Sequence, residues 1–327
     1  MKRVLLFFLV AIQLQSLNAQ VNDSVVISLD DVKNTLGFLA ADSLEGRGNE
    51  TPGLQRAAWY IEKEFTRDSL AFFGNMTTFL QSFLISPIQQ KDSSIKDSTG
   101  HYISPKILYN VVGVLPGRTL PNEAIVFSAH YDHLGTADDA DDTIYNGAND
   151  DASGTTALLL LARYFAQKHD NARTLVFCAF AGEELGLLGS DMFVKNINYK
   201  NFVAGVNIKM IGIPQKGKNA FFITGGQLSN IGKIVRNNLK GTPFKVVAEP
   251  DVSKNLFQRS DNYSFARLGI PAHSFMTSDD SDPCYHQPCD EVKRIDFAHM
   301  KNIIEAVIVG TRSLVDGKDT PRRVPGS

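Results

Sequence analysis

The chain has 327 residues, of which 43% are hydrophobic and 21% charged, enough material to bury one large core. Its 33 basic and 35 acidic residues give a formal net charge of −2, so no broad basic field exists to attract nucleic acid, and no nucleic-acid partner is expected. Three cysteines are too few for a disulfide-dense scaffold.

The N-terminus reads Lys2 and Arg3, then an apolar run from Val4 to Ile12, then small and polar residues ending at Ala19. That order predicts a signal peptide over 1–19, a mature chain from about Gln20, and a periplasmic or extracellular destination. The run is too short for a comfortable membrane span, and the ~18 consecutive apolar residues a span requires occur nowhere else.

Ser28 with Asp31 marks a helix start, and Thr51 with Pro52 marks another, leading into Leu54, Ala57, Ala58, Ile61 and Phe65 at helical spacing. The polar stretch 87–105 reads as an exposed excursion of hairpin type. Apolar strands then alternate with helices: strands over 108–115, 124–129, 175–180, 203–210, 221–224 and 272–276, helices over 153–168, 228–239 and 297–315. The pattern predicts a single α/β domain over 20–327, with a mixed, mostly parallel central sheet flanked by helices.

The chemistry-bearing residues follow these strands, where open α/β sheets bind ligands. The second strand runs into His130, Tyr131, Asp132 and His133. His-x-Asp offers an imidazole ligand and a carboxylate to orient it, although a His and an Asp on a loop would look the same. Asp150 and Asp151 precede the helix at 153; one suits an N-cap, best Asp151, which leaves Asp150 for a cation. Glu183 and Glu184 end a buried strand pattern. Adjacent carboxylates there are costly unless a positive charge neutralises them, and a metal would let one ligate while the other accepts a proton from water. The competing reading is a solvated acidic turn. His286 lies between Pro283 and Pro288 and supplies a nitrogen donor of the kind zinc takes. Cys284 and Cys289 flank it and are candidates for one disulfide, whereas Cys178 sits in an apolar run as a buried thiol.

In these residues the chain resembles metallopeptidase family 28, the zinc aminopeptidases with paired metals, which also includes glutaminyl cyclases. The resemblance rests on Asp42 to Gly48, Thr51 to Gly53, His130 and Asp132, Gly147 to Gly154, Glu183 to Ser190, Ser260 and Asp261, Gly269 to Pro271, and Tyr285, His286 and Pro288. It implies that Asp150 bridges two zinc ions, that Glu184 and His286 complete one site, and that His130 belongs to the other. It further implies Glu183 as general base, Asp132 as the residue orienting His130, and hydrolysis of a peptide beside a free terminus. Two positions depart from the family. Lys209 stands where the family has Asp or Glu; an ammonium cannot ligate a cation and repels one. One zinc is therefore expected, on Asp150, Glu184 and His286, with the His130 half-site empty or weak. Asn262 replaces a His common after Ser-Asp, which bears on the substrate pocket and not on the ligands.

Three functions fit: a zinc exopeptidase of aminopeptidase type, a glutaminyl cyclase-like aminoacyltransferase, and a non-catalytic binding protein of the same fold. The retained Glu183, Glu184, Asp150 and His286 argue against the last. Tyr285 beside His286, where the cyclases have Trp, and the Gly182 to Gly189 segment favour hydrolysis.

Overall fold

A computed structural model describes residues 26–49, 51–85, 106–137 and 142–325. The expected signal peptide and the polar excursion at 87–105 lie outside these residues. Both expected early helices form. α1 (Leu29–Leu39) is capped by Ser28, whose hydroxyl accepts from the Asp31 amide, and α2 (Pro52–Arg67) has Pro at its first position. The strands are β1 (Ala71–Phe72), β2 (Leu80–Ile85), β3 (Lys106–Leu115), β4 (Leu120–His130), β5 (Gly135–Thr136), β6 (Ile144–Tyr145), β7 (Arg173–Phe180), β8 (Phe202–Ile208), β9 (Ala220–Ile223), β10 (Lys245–Val247) and β11 (Ala272–Met276). The remaining helices are α3 (Ser153–Lys168), α4 (Leu188–Val194), α5 (Ile231–Asn238), α6 (Asn262–Ala266) and α7 (Phe297–Val315).

Nine strands form one mixed sheet in the order β1-β3-β7-β4-β8-β11-β9-β10, with β2 also on β3; β5 and β6 pair separately. The centre, β7-β4-β8-β11, is parallel. β3 joins it antiparallel on one side and β9 on the other, and β2 and β3 pair antiparallel on either side of the undescribed excursion.

The central strands read as unbroken apolar runs because both their faces are buried. Leu175, Phe177 and Ala179 of β7 enter the larger core with α1, α2, α3 and α7, while Val176, Cys178 and Phe180 alternate into a smaller core with Phe193 and Phe265. Cys178 is buried and free, as expected. Among the bounds that differ from expectation are those of β8 and α5. β8 stops at Ile208, so Lys209 lies just beyond it, and α5 begins at Ile231 because Ser229 turns its hydroxyl to His273. Among the described residues, no helix is long and apolar enough to cross a membrane.

Candidate active site

Because β4, β7, β8 and β11 are parallel, the turns after them open on one edge of the sheet, and each delivers part of the site. His130 ends β4 and Tyr131 to His133 follow it. Glu183 and Glu184 follow β7, Lys209 follows β8, and the loop after β11 carries His286 between Cys284 and Cys289, which are disulfide-bonded. Asp150 comes from the turn before α3. Gly147 in that turn has φ 54°, and a Cβ there would stand 2.2 Å from the Asp150 carbonyl oxygen, so no other residue keeps this path.

Buried groups lock these turns together. The Asp132 carboxylate accepts the backbone N–H of Glu183 and of Glu184 at 3.2 and 3.3 Å and the Asn49 amide at 2.7 Å. Its carbonyl, rather than its carboxylate, makes the close contact with His130 Nδ1, at 3.1 Å against 3.6 Å for Oδ1. Asp132 thus meets His130 through its backbone carbonyl, while its carboxylate fixes the Glu183-Glu184 turn. Asp290 accepts from the backbone N–H groups of Asn149 and Asp150, tying the Asp150 turn to the His286 loop. Asp151, expected as the N-cap of α3, lies one residue before the N-cap Ala152; its carboxylate accepts from the Gly154 amide in the first turn and also from the Met210 amide. Arg47, fully buried, donates to the carbonyls of Tyr131, Leu39, Asn146 and Gly147, joining the His130 and Asp150 turns from behind.

Lys209 points into the site, its Nζ 2.9 Å from Glu183 Oε1 and 3.4 Å from Asp150 Oδ1. Burial alone would strip its proton, but Asp150 and Glu183 raise its pKa well above the ordinary value. Burial pushes Asp150 the other way, yet Lys209 and the contacts with His130 and His286 hold its carboxyl well below the usual range. His130 Nε2 faces Asp150 Oδ1 at 3.1 Å.

On the opposite side of Asp150, donor atoms of His133, Asp150, Glu184 and His286 all lie within 4.8 Å of one another. His286 Nε2 is 3.3 Å from Asp150 Oδ2 and 3.2 Å from Glu184 Oε1. His286 Nε2 and Asp150 Oδ2 are buried without a hydrogen-bond partner. Buried polar atoms rarely stay unpaired, and two carboxylates with imidazole nitrogen make a donor set suited to zinc, so these residues fit that metal. His130, Glu183 and Glu184 form a second group of donors, but Lys209 already occupies Glu183 there. His133 was not among the ligands expected from sequence; its position one residue past His-x-Asp was the signal for it. The site opens into a cavity of about 730 Å³ lined by Glu183, Glu184, Lys209, Arg259, Tyr263 and Tyr285.

Residues 110–310 match the family model described as peptidase family M28. The chain is 24% identical over 246 residues to the aminopeptidase YwaD of Bacillus subtilis, covering 72% of this chain and 50% of that one. It spans about half the length of the curated relatives it matches. Among solved structures it is similar to BSAP, a zinc aminopeptidase from Bacillus subtilis, with a TM-score of 0.70, 16% identity and 90% and 97% of the two chains covered. It is also similar to Bacteroides thetaiotaomicron glutaminyl cyclase bound to N-acetylhistamine, with a TM-score of 0.64, 16% identity and 91% and 100% covered. At these identities the two structures speak for the fold.

Proposed function

The chain belongs to peptidase family M28, and on that premise we propose that it is an exported zinc exopeptidase removing N-terminal residues from peptides. One zinc is held by Asp150, Glu184 and His286, and Glu183 is the general base. The observation that carries this reading is the approach of His286 Nε2 to 3.3 Å of Asp150 Oδ2 and 3.2 Å of Glu184 Oε1, beside Glu183. Export rests on the leader-like sequence at 1–19.

Zinc in this position supplies Lewis acidity, polarising the scissile carbonyl and acidifying water. Glu183 has one oxygen held by Lys209 and the other, Oε2, 3.9 Å from His130 Nε2, so its carboxylate is anchored at the cavity wall. In the proposed reaction that carboxylate takes the proton from the attacking water and returns it to the leaving amine. Asp132 keeps Glu183 and Glu184 in place through their own N–H groups, and Lys209 supplies a fixed positive charge beside the reacting carbonyl. Tyr285 stacks on His286 at 3.9 Å between ring centroids and orients the imidazole.

Cyclisation of N-terminal Gln is the second reading, supported by the fold shared with a glutaminyl cyclase and by the single-zinc expectation. Purified protein assayed on aminoacyl-anilides and on N-terminal Gln peptides, with zinc counted per chain, separates the two. Turnover of anilides is the expected result; turnover of neither, with zinc or cobalt added, overturns both enzyme readings in favour of a binding protein.

A further inference from the structure

Resting on that single-zinc reading, we infer that His133, and not His130, is the imidazole that joins His286 on the metal. Asp150 then bridges the zinc and the Lys209 ammonium rather than two zinc ions.

The two histidines leave the same strand end but have opposite needs. His130 is satisfied by protein: Nδ1 meets the Asp132 carbonyl at 3.1 Å and Nε2 meets Asp150 Oδ1 at 3.1 Å. The oxygen it faces is also approached by Lys209 Nζ, at 3.4 Å, so a cation on this side would meet a positive charge on a shared acceptor. His133 is 1% exposed, and among the described residues the hydrogen-bond partner of its ring is Glu184 Oε1, 3.2 Å from Nδ1. The nitrogen open to a cation is Nδ1, because the group it faces, Glu184, is itself one of the metal donors, whereas both nitrogens of His130 are taken by protein.

The spacing of the donors points the same way. Zinc bonds of about 2.0–2.1 Å in tetrahedral array put neighbouring donors about 3.3 Å apart. The separations here are 3.2 Å for His133 Nδ1 to Glu184 Oε1, 3.2 Å for His286 Nε2 to Glu184 Oε1, and 3.3 Å for His286 Nε2 to Asp150 Oδ2. The His133 and His286 rings meet edge to face at 5.6 Å, as two imidazoles converging on one point do. The seat is built for the ring, since a Cβ on Gly147 would come within 2.5 Å of His133 Cδ2. Two carboxylates and two neutral imidazoles balance one divalent ion. Lys209 then balances Glu183, so no second cation is needed.

X-ray absorption on the full chain loaded with one equivalent of zinc counts imidazole ligands directly. Two are expected in the wild type and in His130→Gln, and one in His133→Ala, whose zinc affinity falls at least about tenfold. The wild-type count stands even if His133→Ala fails to fold. One imidazole in the wild type, or two that persist in His133→Ala and drop to one in His130→Gln, overturns the inference while leaving a single-zinc enzyme intact. A wild type that takes up no zinc overturns the functional reading itself.

Discussion

Lys209 is ion-paired with Glu183, its Nζ 2.9 Å from Oε1, in a pocket where the lysine is only 5% exposed. The pair sits where the family resemblance places a metal ligand, and it converts an expected half-site for a cation into one already filled by the protein's own charge. Removing one member of a buried pair strands the other, at a cost of about 3–5 kcal/mol. Metal-free Lys209→Met is expected to lose stability on that scale in denaturant titration at neutral pH. An unchanged midpoint would mean that the ammonium neutralises nothing.

Glu183→Gln keeps the size of the side chain and removes the proposed proton acceptor. The expected result is a fall in kcat of about 10²–10⁴-fold with zinc stoichiometry unchanged. A mutant retaining wild-type kcat would remove Glu183 from the chemistry.

Zinc uptake should depend on pH through His286. In the metal-free protein, burial lowers its pKa, but contacts with Asp150 and Glu184 win and raise it to about 9. The metal takes only the neutral imidazole, so below pH 9 binding must displace a proton, and apparent affinity should rise by about tenfold per pH unit as pH climbs towards 9. Competition with a chelator between pH 6 and 9 measures this, and a flat profile would contradict it.

Asp261 is buried with neither carboxylate oxygen hydrogen-bonded, and burial, reinforced by the charge of Glu183, raises its pKa from 3.8 to about 7. The folded state therefore holds a proton that the unfolded chain has released. This favourable term is complete below pH 4 and is lost as pH rises to 7. Asp261→Asn cannot ionise, so at pH 8 it should gain up to about 4 kcal/mol over the wild type, less whatever its unpaired amide costs, and gain nothing at pH 4. Equal effects at both pH values would rule out ionisation as the cause.

The central strands and long helices were legible because burial on both faces leaves runs such as Leu175 to Phe180, and because α3 and α7 carry their periodicity over many turns. α4 and α6 were not. They span 7 and 5 residues and are held by packing around Phe193 and Phe265 rather than by any spacing of their own. Lys209 was legible as an intruder, since a lysine among Ile208, Met210 and Ile211 has no reason to be there but charge. The roles of Asp132 and Arg47 were not, because their partners are mainly backbone N–H and carbonyl groups brought near by parallel strands and packed loops, and side-chain identity does not encode these. The choice between His130 and His133 depends on which face of one short turn meets Glu184, which only the folded chain decides.

If Lys209 stands in for a second metal, as proposed, counting zinc per chain in the wild type and in Lys209→Asp shows it most directly. One zinc in the wild type and two in the variant is the predicted result. Equal stoichiometry in the two proteins would contradict it.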